Sequence, residues 1–319
     1  MTPTPDIRIV RRRDLMDAPD YRRLRAHVRA GAWCRVAPGA YARGAEWASL
    51  TPRQQHRVRV EEVVARLDAA VVVSHFSAAA VWGIDVLGAW PTLVDLTTPR
   101  ASGGRSGGAI RRRALGLDGV ATVGFGAHEV TTPAQTALDL ARCLPFVPAV
   151  TAIDRAISTR RLSGALTDRS EILALMDANG PRRGDARARR ALAASDALSD
   201  NVRETQLRLL VIALGFPLPR LQERRVLRSG RLVFGDLYFP EEDHWLELDG
   251  RGKYRSPEFG PDRDAAEIAI DEKNRENEIR REVRGFSRLE PADLDHPRRV
   301  YDILTADGLR ATRPRPPHS

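Results

Sequence analysis

Lysine is almost missing from this chain of 319 residues: among 51 basic side chains only Lys253 and Lys273 are lysines, and arginine supplies the rest. Where arginine is the default cation, a retained lysine marks a place where a compact ammonium that can shed its proton has a use. Cysteine is nearly absent as well. Cys34 and Cys143 stand far apart and match no metal-ligand spacing, which excludes a disulfide scaffold and a zinc module and fits a reduced cytoplasm. No run of about 18 apolar residues occurs, so no transmembrane helix and no membrane partner is expected. The opening MTPTPDIRIVRRRD lacks the apolar stretch of a secretory signal. No Gly-x-Ser-x-Gly elbow is found, and the flexible stretch Ala101 to Gly108, ASGGRSGG, lacks the closing Gly-Lys-Ser/Thr of a phosphate-binding loop. His75 with Ser77, and His128 with Glu129, are the histidine pairs that a hydrolase would have to use, and neither has a nucleophile arrangement around it.

What is present points to a polyanion. The formal net charge is +9 and the sequence pI about 10.4, while 42% hydrophobic content is enough for real cores. That balance favours nucleic acid as the partner. The length calls for more than one domain. The expected division is a winged helix-turn-helix over 1–50, a middle α/β domain with a helical linker over 51–195, an α+β domain of αβββαβ order over 199–310, and a disordered tail over 311–319.

Residues 6 to 45 read as a short helix at Arg13 to Asp17, a second helix from Asp20 to Ala30, and a hairpin, Trp33 to Val36 and Ala40 to Ala42, around Pro38-Gly39. Tyr21, Leu24 and Val28 share one helix face. Arg22, Arg23, Arg25 and Arg29 point largely elsewhere, as a DNA-recognition helix requires for phosphates and base edges. A solvated arginine face is the plainer reading of the same pattern. Thr51-Pro52 opens a helix to about Ala69 with Val58, Val60, Val63, Val64 and Leu67 on its apolar side. Beyond it, Val71 to Ser74 and Leu93 to Thr97 read as strands, and Ser77 to Trp82, Thr132 to Cys143 and Val147 to Ser158 as helices. The stretch to about Ala194 reads as helical, with a break at Asn179-Gly180-Pro181.

The chemistry-bearing stretch is Leu232 to Tyr254. Leu232 to Phe239 and His244 to Leu248 read as strands joined by the polar turn Glu241-Glu242-Asp243. Alternation puts Trp245, Glu247 and Asp249 on one face, and Leu246 and Leu248 on the other. Asp236 falls on the partner strand within reach of Glu247, a pair of oxygen ligands suited to Mg²⁺ or Mn²⁺. Carboxylates interleaved with Trp and Leu are costly unless paired or metal-bound. Upstream, Asn201-x-x-Glu204 fits a capping box, which gives Glu204 a structural role beside any catalytic one. Downstream come a helix over about Asp262 to Val283, a strand Phe286 to Leu289 and a closing helix Pro291 to Ala306.

That order, with Asn201-x-x-Glu204, Gly235-Asp236-Leu237, Leu246-Glu247-Leu248-Asp249-Gly250, Lys253-Tyr254 and Glu272-Lys273-x-Arg275-Glu276 in place, resembles the PD-(D/E)xK nuclease superfamily, and within it the very-short-patch-repair-type endonuclease domain. The front, with Gly31-x-x-x-Arg35-Val36-x-x-Gly39-x-Tyr41 and Ser74-His75-x-Ser77-Ala78-Ala79, resembles the AbiEi type of antitoxin. The first resemblance implies Mg²⁺-dependent hydrolysis of DNA, with Asp236, Glu247 and the carbonyl of Leu248 holding the ion, Asp249 and Glu204 orienting water or a second ion, and Lys253 stabilising charge. The second implies a DNA-binding regulator paired with a nucleotidyltransferase-like toxin, its nuclease-like domain silent. Two departures bear on the choice. Asp249 stands where the superfamily has Lys, and Lys253 where the repair endonucleases have His.

Overall fold

The computed structural model describes residues 1–15, 18–99, 106–249 and 265–317. It is a mixed α+β structure with eleven α-helices and three sheets among those residues. Lys253, most of the ASGGRSGG stretch, the last residues of the expected Arg13 to Asp17 helix and the start of the helix expected from Asp262 lie outside the described residues. The chain divides into two compact units, Met1–Ala197 and Leu198–Ser319. No helix among the described residues is long and apolar enough to cross a membrane.

In the first unit β1 (Ile9–Arg11) leads through a 3-10 turn (Arg12–Asp14) to α1 (Ala18–Arg29), β2 (Trp33–Ala37), β3 (Ala40–Arg43) and the short α2 (Gly44–Ser49). The three strands form one antiparallel sheet of order β1-β3-β2. The expected hairpin is therefore extended by a strand drawn from the arginine-rich start of the chain. α3 (Pro52–Val64) opens on a capping box, with the Thr51 hydroxyl accepting from the Gln54 amide and the Gln54 side chain accepting from the Thr51 N–H. These bonds and Pro52 at the first helical position satisfy or remove orphan donors of the first turn.

A second sheet collects β4 (Val72–Val73), β5 (Val94–Thr97), β6 (Ile110–Arg113), β7 (Thr122–Phe125) and β8 (His128–Thr131) in the order β6-β5-β4-β8-β7. α4 (His75–Trp82) follows β4 and stops at Gly83, whose φ of +74 suits a residue without a Cβ. Then come α5 (Pro133–Cys143), α6 (Phe146–Ile157), α7 (Arg169–Ala178) and α8 (Asp185–Ala193). Val36, Ala40 and Ala42 of the small sheet share one core with Val60, Val63, Val73, Val81, Val94 and Val130. The N-terminal layer and the middle region are thus packed as a single unit.

The second unit runs α9 (Val202–Ala213), β9 (Arg220–Val226), β10 (Leu232–Phe239), β11 (His244–Leu248), α10 (Ala265–Arg280), β12 (Gly285–Leu289), a 3-10 turn (Pro291–Asp295) and α11 (Pro297–Ala306). Its sheet has the order β12-β11-β10-β9, antiparallel except for the parallel pair β11–β12. A parallel neighbour needs a crossover, and α10 lies within it. Leu237, Phe239, Leu246 and Leu248 pack with Leu207 and Val211 of α9 and Val300 and Leu304 of α11. Tyr238, Trp245 and Phe286 pack with Ile279 of α10. The period-two alternation of β11 thereby serves two cores, one per face.

Two differences from expectation have simple causes. The closing helix begins at Pro297, because residues 291–295 are taken up by the 3-10 turn. The stretch from Ala311 to Pro317, expected to be a disordered tail, is instead laid on its unit. The Thr312 N–H donates to the Gly215 carbonyl at 2.8 Å, the Tyr301 hydroxyl donates to the Arg313 carbonyl at 3.2 Å, and Arg315 pairs with Asp302. A Cβ on Gly215 (φ +85) would sit 2.6 Å from the Arg313 side chain, so glycine there admits the returning chain.

Candidate functional site

The acidic residues singled out in the sequence gather around β10 and β11, but they do not share one role. Glu204 sits in the first turn of α9 and is only 3% exposed. Its carboxylate accepts from the Asp200 N–H at 2.9 Å, the Asn201 Nδ2 at 2.6 Å and the Gln222 Nε2 at 3.2 Å. The capping box is thus altered: Asn201 Oδ1 caps Arg203 and Glu204, while the returning bond comes from Asp200 rather than Asn201. Burial, and next the charge of Asp236, push the Glu204 carboxyl up to about 7. A carboxyl raised this way has a neighbouring acid in a poorly solvated place.

Asp236, buried on β10, accepts from the Leu248 N–H at 2.8 Å. A side chain here takes a main-chain donor of the adjacent strand, which fixes the carboxylate against the end of β11. Gln222, on β9, holds a φ of +51, and the structure therefore stores local strain next to Glu204 and Asp236. Gln222 had not been marked in the sequence, where nothing distinguishes it from any other polar strand residue.

Glu247 is engaged differently. Arg275 of α10 grips it with two bonds, Nη1 to Oε1 at 2.9 Å and Nη2 to Oε2 at 2.7 Å, and Trp245 Nε1 donates to Oε1 at 3.0 Å. Arg275 also binds Glu272, with bonds of 2.9 and 2.7 Å. Burial works against the charged guanidinium, but the two carboxylates outweigh it and hold Arg275 firmly protonated. Both oxygens of Glu247 are therefore committed to protein donors. Asp249 faces Arg288 at 3.4 Å, and its N–H donates to the Leu289 carbonyl at 2.7 Å. Arg288 in turn binds Glu276 at 2.6 Å. Lys253 lies outside the described residues, and Lys273 is exposed on α10.

The donor set thus splits into a carboxylate pair, Glu204 and Asp236, and a neutralised network, Glu247–Arg275–Glu272 with Asp249–Arg288–Glu276. Among the described residues no group of three or more His, Cys, Asp or Glu side chains is placed to hold a metal ion together. The pair fits a hard cation, because two buried carboxylates of like charge are relieved either by a proton or by a cation. Glu247, in the geometry described, does not fit as a ligand. Arg275 stands in the Glu272-Lys273-x-Arg275-Glu276 stretch singled out in the sequence, where the i,i+3 spacing of Glu272 and Arg275 signals an ion pair; Arg288 carries no such sign.

The other candidates resolve clearly. Arg22, Arg23, Arg25 and Arg29 are all exposed on α1, with Leu24 buried and Tyr21 and Val28 half-buried on the opposite side. Ser77 binds His56 rather than His75. His56 Nδ1 lies 2.9 Å from the Pro91 carbonyl and Nε2 lies 3.0 Å from the Ser77 hydroxyl, which also accepts from the Asp95 N–H at 2.8 Å. A carbonyl partner makes Nδ1 the donor, so Ser77 donates to Nε2 and every group is satisfied. Both residues are fully buried, and burial pushes His56 down to about 4. This is a core plug rather than a nucleophile. His128 Nε2 lies 2.9 Å from the Val64 carbonyl.

No protein-family model matches the chain. Two proteins of Mycobacterium tuberculosis, one from strain CDC 1551 / Oshkosh and one from strain H37Rv, are each 36% identical to it over 111 residues. Both are described only as uncharacterized proteins. The match covers 35% of this chain and 39% of either relative.

Proposed function

We propose that this chain is a DNA-binding protein whose C-terminal unit hydrolyses phosphodiester bonds with Mg²⁺ or Mn²⁺, as a PD-(D/E)xK-type nuclease does. The observation that carries this reading is the buried pair Glu204–Asp236 at the end of β11, with Glu204 pushed up to about 7. Asp236, Glu204 and the Leu248 carbonyl are the groups that would hold the cation, which when bound would acidify a water and neutralise the scissile phosphate. Asp236 is oriented for that task by the Leu248 N–H, and Glu204 by Gln222. The test is titration of Mn²⁺ into the full chain. Saturable binding is expected in the wild type and its loss in Asp236→Ala, together with loss of cleavage of duplex DNA. A variant that still binds and cleaves like the wild type would overturn the assignment.

The exposed arginines of α1 supply the DNA contact in this proposal, in a winged-helix arrangement with β2 and β3 as the wing. Each phosphate contact contributes about 0.9 to the slope of log affinity against log salt. Replacing Arg22, Arg23, Arg25 and Arg29 together with Gln is therefore expected to flatten that slope by about 3 to 4, measured by fluorescence anisotropy on duplex DNA. An unchanged slope would return these side chains to the status of a solvated face.

A second reading has its own support. The two-pronged grip of Arg275 on Glu247 favours an AbiEi-like antitoxin or transcriptional regulator whose nuclease-like domain is silent. It predicts salt-sensitive operator binding without any divalent-cation dependence, and a nucleotidyltransferase-like toxin as partner.

A further inference from the structure

The middle of the first unit holds a cavity of about 570 Å³ that none of the foregoing uses. Its size is that of a small-molecule site. Five arginines line it, Arg113, Arg142, Arg182, Arg183 and Arg187, against one carboxylate, Asp139. They come from three places: Arg113 from the end of β6, Arg142 from the end of α5, and the others from the Pro181–Gly184 turn and the start of α8. Leu115, Val120 and Pro181 give it an apolar wall.

The charge is cancelled only in part, by Asp95 on Arg111 and Arg113 and by Asp185 on Arg142. Arg111 and Arg113 share a single carboxylate, the fully buried Asp95, with bonds of 2.7 and 3.0 Å. Arg182 and Arg187 donate to the uncharged carbonyls of Asp118 and Arg142, at 2.8 and 3.3 Å. Arg183 has no hydrogen bond or ion pair among the described residues. Arg142 carries the sharpest sign. Its Nε is held by Asp185 at 2.7 Å and its side chain is only 9% exposed, yet its Nη2 is buried with no partner among the described residues. A buried guanidinium N–H left unmade costs about 1–3 kcal/mol or more. At the cavity wall His75 holds a φ of +50 at the head of α4, a strained backbone of the kind found at ligand sites.

We infer that this cavity binds a small phosphorylated ligand of about nucleotide size, with Arg142, Arg183 and Arg187 on the phosphate and the Leu115–Val120–Pro181 wall against its uncharged part. Guanidinium forks match phosphate oxygens.

The experiment is calorimetric titration of the full chain, at fixed ionic strength, with inorganic pyrophosphate, ADP, adenosine, and short single-stranded oligonucleotides with and without a 5′-phosphate. ADP and pyrophosphate are expected to saturate one site with Kd below about 1 mM, and adenosine is expected not to bind. Arg183→Gln/Arg187→Gln, both exposed and away from the core, is expected to weaken ADP ten- to hundredfold, the loss of one to two charged hydrogen bonds. Arg142→Gln is expected to abolish binding; because Arg142 also holds Asp185, the double variant is the decisive one. Binding should slow alkylation of Cys143, an exposed thiol on the cavity wall, in a Cys34→Ser background. A 5′-phosphate-dependent gain with the oligonucleotide would place the phosphate on a DNA end, with the same arginines reading it. No saturation by any phosphate probe, ADP binding unchanged in the double variant, or Cys143 alkylated equally fast with ligand present would each overturn the proposal.

Discussion

Replacing Arg275 with methionine will destabilise the C-terminal unit by about 3–5 kcal/mol, the usual loss when one partner of a buried ion pair is removed. The two side chains are 14% and 8% exposed, so Glu247 cannot turn to water when its partner goes. Among the described residues it keeps the Trp245 indole N–H alone, one bond where three stood. Glu272, more exposed, loses Arg275 at smaller expense and still faces Arg288 at 3.6 Å. Because the chain has two units, a single unfolding midpoint would mix them, and the loss should be read from hydrogen exchange of peptides covering β10 and β11 in the full chain. The double variant Glu247→Gln/Arg275→Met is expected to recover much of the loss, since the neutral amide no longer needs a counter-ion. Equal protection in wild type and Arg275→Met would show that the pair is not what holds β11 to α10. The same variant separates the two functional readings. If Glu247 is a ligand kept in reserve, freeing it tightens Mn²⁺ binding; if the domain is silent, it does not.

The C-terminal unit was legible because its signals are local. Leu246 and Leu248 alternate with Trp245 and Glu247, and Glu241-Glu242-Asp243 interrupts two β-rich runs, so the order α, three strands, α, strand, α followed from neighbours in the sequence. What was not legible depends on partners far away. Arg275 lies 28 positions from Glu247, and no spacing rule connects a strand residue to a helix whose rotation about its axis is set by Ile279 packing on Trp245. The same holds for Arg288 and Asp249. β6 reads IRRR, a stretch without alternation, and becomes a strand because Asp95 on β5 binds Arg111 and Arg113. Three arginines in four residues carry no strand signal until their buried carboxylate is known. The tail is a related case: Pro and Arg content suggests disorder, while the opening at Gly215 that receives it is about a hundred residues away.

Glu204→Gln is expected to change the pH dependence of stability more than any other substitution in the site. In the folded chain the Glu204 carboxyl titrates at about 7, because burial and the Asp236 charge disfavour its ionised form. In the unfolded chain it titrates at the ordinary glutamate value near 4.3. Below that value both states carry the proton and Glu204 is neutral to the balance. As pH rises the unfolded chain ionises first, the folded state binds more protons, and stability falls until the folded carboxyl ionises too. The whole loss is about 3 kcal/mol, spread between roughly pH 4 and pH 7 and constant above. Glutamine keeps the shape and a carbonyl acceptor for the Asp200 N–H but cannot ionise. The variant should therefore match the wild type at acid pH and exceed it by up to about 3 kcal/mol at pH 8, as urea denaturation of both proteins across that range would measure. Asp236→Asn should move the wild-type curve in the same direction, by removing the charge that raises Glu204. If the proposed cation site exists, Mg²⁺ at pH 8 should stabilise the wild type and leave Glu204→Gln nearly unmoved, since a cation and a proton relieve the same repulsion. Parallel pH profiles for wild type and Glu204→Gln would mean that the two carboxylates are not coupled, and the nuclease proposal would lose the observation on which it stands.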